Sequence, residues 1–411
     1  MNANSQTSIP SDWSILSLAD NDPFPIYERL RHEKGNIFWD PGISCWVILS
    51  HELCARVELD EKTFRTLAPS DDPPVSYEIK GDLKKQALPT LTGEEHARMR
   101  KFYLRFVGPL LMPTYRTEHV LPVLNNLLDR LSGLGACELA AEYGDKITVR
   151  ILASLFGLPW KDDRLMDDMA RWNDAIIASF AMRFSDEKVN QPALRASSEV
   201  DRLLRPIVIA RKDERTGDFI SNVWTYAEED LGEVEVEQIV GIVRDIALGA
   251  GDTTKNAIVN LIYAYLSNED MRQAVSPDNE RSINAMVEET LRLVGPLPMR
   301  FRKANTEIEL GGITIKKDDR LCLMHAAASR DPEHYGCPHA FDLSRKRPTD
   351  HFQFSVGPRI CIAAPFARLM MRESLKTLLE RHPDVRLDTN KERPTFRGLT
   401  PRSYRPLHAL L

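Results

Sequence analysis

One cysteine in this 411-residue chain sits in a setting that could do chemistry. Cys361 lies within His351–Arg368, HFQFSVGPRICIAAPFAR. Before it comes a turn-forming loop with an aromatic anchor, Phe354-Ser-Val-Gly357-Pro358-Arg359, and from Ala363 onward the chain reads as a helix. A sulfur just ahead of a helix N-terminus meets free backbone N–H groups and the positive end of the helix dipole, which favour thiolate over thiol. A thiolate held in such a loop suits axial ligation of haem iron, where its electron donation promotes O–O cleavage. Gly357 would let the backbone pass close to a flat cofactor, Phe354 would shield the sulfur from water, and Arg359 could reach a carboxylate. Cys45, Cys54, Cys137, Cys322 and Cys337 have no such context. With no C-x-x-C pair and no His/Cys metal spacing, they read as reduced, inert thiols.

Phe354-x-x-Gly357-x-Arg359-x-Cys361 resembles the haem-binding signature of the cytochromes P450. Glu289-Thr-Leu-Arg292 resembles that family's E-x-x-R on a helix, and Ala250-Gly251-Asp252-Thr253-Thr254 its oxygen-activating helix motif. His96-Ala-Arg-Met-Arg100 resembles its H-x-x-x-R. Arg302-Lys-Ala304 ahead of a Gly-Gly hairpin, Arg330-Asp-Pro332 and Phe341-Asp342 fit bacterial members. The motifs fall in the family's order from about residue 22 to the C-terminus. There are departures. Ala363 stands where the family usually has Gly, Ser355 where bacterial members often have Gly, and Arg359 where many have His. Alanine being the smallest step from glycine, position 363 is expected to pack more tightly over the ring without losing it.

The resemblance implies haem b (iron protoporphyrin IX) with Cys361 as the iron ligand. Two propionates then need cationic or hydrogen-bonding donors, and arginine's planar fork suits carboxylates. The implied cofactor-binding residues are His96, Arg100, Arg302, Arg359, Phe354, Gly357, Ala250 and Gly249, with Arg300 a rival to Arg302. Gly249 and Gly251 each cost about 1 kcal/mol in a helix interior relative to alanine, and a helix lying close to the ring would compensate. Thr253 and Asp252 are the implied catalytic pair: the hydroxyl donates to bound oxygen and the acid relays protons from solvent. Glu289 and Arg292, three apart on a helix, can pair; the resemblance implies a partly buried network with Arg345 or its neighbours that holds the cysteine loop. The implied substrate contacts are Asp245, Leu248, Leu297, Met299 and segments 70–92 and 172–195. Asp245 either receives a basic or hydroxylated substrate group, forms a salt bridge with a nearby arginine, or sits at a water-filled edge.

These groups need elements to position them. No proline falls between Pro206 and Pro277, and this stretch should hold the longest helix, Glu237–Leu266, apolar on several faces and hence buried. Further helices are expected at 120–133, 147–156, 162–182, 194–212, 281–294 and 362–381. Cys45–Leu49 reads as a strand, and Glu307–Ile315 as a hairpin turning at Gly311-Gly312. Pro, Ser and Asp crowd 68–76, which predicts an irregular loop. The expected fold is mainly α with small β-sheets: a cytochrome P450 fold, with haem between the long central helix and the cysteine-loop helix. A polar N-terminal tail over 1–21 would precede one domain over 22–411, with no repeat or linker.

Composition supports a folded enzyme. The chain is 43% hydrophobic and 28% charged, which excludes a disordered or fibrous protein. Its 54 basic and 60 acidic residues give a net charge of −6, so no global basic excess favours nucleic acid. No run of about 18 apolar residues predicts a transmembrane helix, and the polar N-terminus lacks the pattern of a signal peptide, so a cytoplasmic location is expected. The expected activity is that of a haem-thiolate monooxygenase. It would act as a monomer on a small or medium, mainly apolar substrate with O2, with ferredoxin and ferredoxin reductase as electron donors. A basic crescent of Arg98, Lys101, Arg105, Arg345, Lys346, Arg347, Arg368 and Arg372 is either a solvated face or, by resemblance, a docking surface for an acidic ferredoxin. The alternatives are a peroxide-driven or oxidative-coupling haem-thiolate enzyme and a haem sensor without turnover. The Asp252–Thr253 pair argues against both.

Overall fold

The longest apolar stretch becomes the longest helix. Val236–Ser267 runs for 32 residues. It opens on a capping box in which Glu235 N donates to Gln238 Oε1 at 2.7 Å, satisfying backbone groups the first turn would leave orphaned. Most of its faces are buried because Asp145–Leu155, Asp163–Phe180, Glu187–Asp213, Glu280–Val294 and Ala364–Arg381 all pack against it. The computed structural model describes residues 9–10, 12–19, 22–67, 71, 88–180 and 187–411.

The expected helices form with small changes at their ends. The one expected at 194–212 starts earlier, at Glu187, and carries Pro192 and Pro206 inside it. Phe24–Lys34, His51–Leu59, Gly93–Val107 and Phe219–Leu231 add helices that the periodicity did not single out. Charged residues interrupt most of them, and only a narrow apolar stripe such as Met99, Phe102, Tyr103 and Phe106 turns inward.

The main sheet has five strands in the order Ile37–Asp40, Cys45–Ile48, Arg320–Leu323, Arg300–Ala304, Phe64–Arg65. Cys45–Ile48 lies parallel to Arg320–Leu323, with Val47 opposite Cys322. Arg300–Ala304 lies antiparallel, with Arg302 opposite Leu321. Because side chains alternate along a strand, Arg300 and Arg302 share one face. The hairpin Ile308–Leu310 to Ile313–Ile315 forms as expected, with φ of 57° and 79° at Gly311 and Gly312.

The 1–21 stretch needs correcting as a free polar tail. Ile15–Leu18 forms a 3-10 turn, and Ile15 and Leu18 are buried in the smaller core under the sheet. Ile15 N donates to Asp40 Oδ2 at 2.8 Å, and Arg402 Nη1 to the Leu18 carbonyl at 2.6 Å. Apolar side chains in a polar segment found a surface to cover. The expected 68–76 loop lies outside the described residues except for Asp71, as do most of 70–92 and residues 181–186 of 172–195. Among the described residues no helix is long and apolar enough to cross a membrane.

Candidate active site

Cys361 is placed by its own loop. Its N–H donates to the Phe354 carbonyl at 2.8 Å, and the helix Ala364–Arg381 follows with no side-chain cap on its first turn. Gly357 has φ +67°, and a Cβ there would stand 2.8 Å from Leu59 Cδ2, so only glycine fits. Phe354 lies under the Arg368 guanidinium, 4.5 Å from its ring centre. The two departures from glycine differ. Ala363 sits at φ −90°, open to any residue, whereas Ser355 is left-handed at φ +59°. The expected thiolate preference is corrected in one respect. Burial pushes the Cys361 thiol up, and the Ala363 N–H, Arg300, Arg100 and Ala364 N–H pull it down only in part. A thiolate here needs a cation within bonding distance.

Two guanidiniums act on that sulfur, and two more act on them. Arg100 and Arg300 both act on the Cys361 charge, and Arg300 and Arg359 both act on Arg302. Arg100 Nη1 donates to the Ile360 carbonyl at 2.6 Å. Arg359 pairs with Glu61, donates to the Leu91 carbonyl at 2.6 Å and keeps Nη1 unpartnered. Arg302 is buried, with Nη2 3.3 Å from Glu58 Oε1. Arg300 is exposed and, like Arg100, has no ion pair among the described residues. His96 is buried; burial first, then Arg359, lowers its pKa, so it is neutral. Four guanidiniums thus converge where two carboxylates pair with them, and two positive charges remain for an anion. A half-buried thiol with backbone donors, and guanidiniums unanswered among the described residues, fit a haem with two propionates, which Cys361, His96, Arg100, Arg300, Arg302 and Arg359 would hold.

The central helix supplies the other side. Gly249 is exposed in the largely buried middle of this helix, and a Cβ there would meet nothing within 4 Å among the described residues. Gly251 points elsewhere: a Cβ would come within 3.2 Å of Asn173 Nδ2. Of the two glycines, then, one leaves open space and the other admits a neighbouring helix. Ala250 is buried between them. Thr253 Oγ1 donates back to the Gly249 carbonyl at 3.2 Å. Asp252 is buried and accepts from Asn256 Nδ2 at 3.3 Å. Lys255, which sequence reasoning missed, lies 3.0 Å from Asp252 Oδ1 and 2.6 Å from Asp174 Oδ1. Burial raises the Asp252 carboxyl while Lys255 draws it down. The only sequence signal for Lys255 was its three-residue spacing from Asp252.

The expected substrate residues divide. Asp245 accepts a hydrogen bond from Tyr103 Oη at 3.1 Å, and burial pushes its carboxyl up to about 6. Its partner is this tyrosine rather than an arginine. Leu248 packs on Ile176, Ala193 and Ala196 and lines an apolar cavity of about 50 Å³ with Met169, Leu204 and Gly251. The Leu297 backbone is clamped by Gln353, which accepts from its N–H at 3.2 Å and donates to its carbonyl at 3.1 Å. Met299 needs correcting: it is 5% exposed in the core beneath the sheet, packed with Phe38 and Met324, because it faces away from Arg300 and Arg302.

Glu289 and Arg292 form a bidentate pair at 2.9 and 2.8 Å, each 1% exposed. Arg345 joins Glu289 at 2.8 Å. Glu289 and Arg292 are sealed while the Arg345 side chain is 11% exposed, and the network holds a different segment from the one expected. Arg292 donates to the carbonyls of Ser329, Pro338 and Ala340. The neighbouring Glu288 braces the cysteine loop instead, through Arg368 at 2.6 Å and His351 at 3.1 Å. Much of the basic crescent is spent on such pairs: Arg105 meets Glu229 and Asp230, and Arg372 meets Glu373. Arg98, Lys101, Lys346 and Arg347 are exposed, with no ion pair among the described residues.

Comparison with known proteins agrees with this geometry. The family described as Cytochrome P450 matches residues 163–400. Cytochrome P450 monooxygenase PikC of Streptomyces venezuelae is 27% identical over 389 residues, 92% of this chain and 89% of that protein. The C-19 steroid 1alpha-hydroxylase of Sorangium cellulosum is 27% identical, covering 93% of each chain. Epothilone B-bound cytochrome P450epoK superposes with a TM-score of 0.82 at 25% identity, covering 95% of this chain and 96% of that one. P450BioI in complex with an acyl carrier protein ligated to hexadec-9Z-enoic acid gives 0.83 at 22%, covering 95% and 98%, and shows the fold alone.

Proposed function

Because this chain belongs to the cytochrome P450 family of haem-containing monooxygenases, we propose that it inserts one oxygen atom of O2 into a small or medium, mainly apolar organic molecule. The observation that carries this is Cys361 ahead of a helix, in a loop whose charge Arg100 and Arg300 answer, with Arg100 bonded to the Ile360 carbonyl at 2.6 Å. When bound, haem b supplies dioxygen reduction, with the sulfur's electron donation favouring O–O cleavage. The chain's own residues do the rest. Cys361 offers the sulfur, Phe354 and its arginine lid limit water around it, and the guanidiniums orient the propionates. Thr253 offers a hydroxyl beside the opening at Gly249. Asp252 takes up and passes protons through a carboxyl held by Lys255, whose other partner, Asp174, is more than half exposed. That chain of groups leads from the helix interior toward solvent.

An apolar substrate is supported by relatives named for a steroid and bound to epothilone B. The electron donor is proposed to be an acidic ferredoxin that docks on Arg98, Lys101, Lys346 and Arg347. Residues 22–411 then make one catalytic domain.

The deciding measurement is the optical spectrum of the reduced protein with carbon monoxide. A strongly red-shifted, thiolate-type Soret band is expected, and Cys361→His should abolish it. A wild-type band at the position of a histidine- or thiol-ligated haem would overturn the reading. Turnover with a ferredoxin should fall as salt rises; indifference to ionic strength would remove the docking surface.

A further inference from the structure

Ser355 occupies a backbone conformation that a side chain rarely adopts. At φ +59° it sits in the left-handed region, where glycine is at home and a Cβ is crowded. Something must hold it there. The contacts single out Glu58, in the last turn of the helix His51–Leu59. Its Oε2 accepts from Ser355 Oγ at 2.6 Å and from the Val356 N–H at 2.9 Å. Its Oε1 lies 3.0 Å from His325 Nε2 and 3.3 Å from Arg302 Nη2. The carboxylate is fully buried, a position in which a charge persists only when several partners answer it. The His325 ring stacks on Phe352 at 5.1 Å, tying the same network to the start of the loop. One residue further along, Leu59 closes on Gly357 so tightly that a Cβ would stand 2.8 Å away. The end of one helix therefore grips the loop at Ser355, Val356 and Gly357.

We propose that Glu58 is a positioning residue for the sulfur: its carboxylate holds Ser355 left-handed and thereby fixes the Phe354–Cys361 turn that aims Cys361 at its metal. This rests on Cys361 being the haem ligand. The hydroxyl of Ser355 is what makes a serine tolerable there, because it gives the strained backbone an anchor that alanine would lack. Arg302 is ordered by the same carboxylate, so the sulfur side and the propionate side share one support.

The test uses the haem-loaded protein and three readouts other than turnover: the reduced-CO spectrum, the ferric/ferrous midpoint potential and the thermal midpoint. Ser355→Ala keeps the strain and removes the hydroxyl's bond to Glu58, leaving only the Val356 N–H on that carboxylate oxygen. It should raise the fraction absorbing at the shorter wavelength of a displaced or protonated sulfur severalfold and shift the potential. Ser355→Gly removes both strain and need, and should keep the wild-type spectrum. Glu58→Leu should resemble Ser355→Ala, and Glu58→Leu/Ser355→Gly should recover the thiolate band even where the thermal midpoint stays low from an unpaired Arg302. If Glu58→Leu folds too poorly to load, the alanine–glycine contrast at position 355 decides alone. A wild-type protein with a thiolate band whose Ser355→Ala and Ser355→Gly variants give the same spectrum overturns the role of Glu58 and leaves the ligand intact. A wild type without that band overturns the ligand itself.

Discussion

Around Cys361, polar groups are pinned by partners from distant parts of the chain; along Gly249–Lys255, they are pinned lightly or locally. The cysteine loop is gripped by Glu58, braced through Glu288, and flanked by a Glu289–Arg292–Arg345 network 1% exposed at its central pair. On the central helix Gly249 faces open space, Thr253 returns its hydroxyl to its own backbone, and Asp252 leans on a lysine that also meets Asp174. A metal ligand gains from being fixed, since any slack is lost orientation. A group that hands on protons must exchange partners, and a surface-linked ion pair allows it.

That contrast can be broken in order of size. On the braced side, Arg292→Leu leaves Glu289 short of its buried partner and should cost about 3–5 kcal/mol. A urea midpoint and haem content unchanged from wild type would show that Arg345 alone suffices. On the light side, Asp252→Asn should do the reverse: turnover falls about a hundredfold while the urea midpoint holds. If stability falls instead, the Asp252–Lys255 pair is structural. Thr253→Ala should divert reducing equivalents to hydrogen peroxide; coupling of NAD(P)H use to product as in wild type would clear the hydroxyl of that role.

Asp245 sharpens the comparison through pH. Burial raises its folded carboxyl to about 6, above the unfolded value of about 4. A raised acid contributes stability below the unfolded value and loses it as pH climbs through the folded one. Asp245→Asn should therefore gain on wild type in thermal midpoint as pH rises from about 4 to about 6, and the gap should level off above that. A gap flat across that range would mean a nearby cation answers the charge. Smallest of all, Ala363→Gly should change stability by less than about 1 kcal/mol, because φ −90° asks nothing special of that residue.

Much of the helical frame was legible in periodicity: the central helix, the helix after Cys361 and the Gly311-Gly312 hairpin stand where spacing put them. Position 355 shows the limit. A serine in place of a glycine was visible, but whether it was harmless, like Ala363, or strained depended on a backbone angle. Glu58 was harder still. The second glutamate of His51–Leu59, HELCARVEL, reads as an exposed residue on a short helix until Ser355, Val356, His325 and Arg302 close over it. The basic crescent was legible only as charge: Arg105, Arg345, Arg368 and Arg372 are engaged in ion pairs that the sequence did not show.

By itself the sequence determined what travels along a chain: hydrophobic period, turn residues, the helix that follows Cys361, and motifs in one family's order. These depend on neighbours within a few residues, where covalent geometry leaves few options. The tertiary structure alone decided partnership. It chose Tyr103 for Asp245, Asp174 for Lys255, and Glu58 for both Ser355 and Arg302. It also left Arg100 and Arg300 without carboxylates among the described residues. Partnership between residues hundreds of positions apart is set by which surfaces pack together, and a buried charge holds its place only after that packing has supplied its answer.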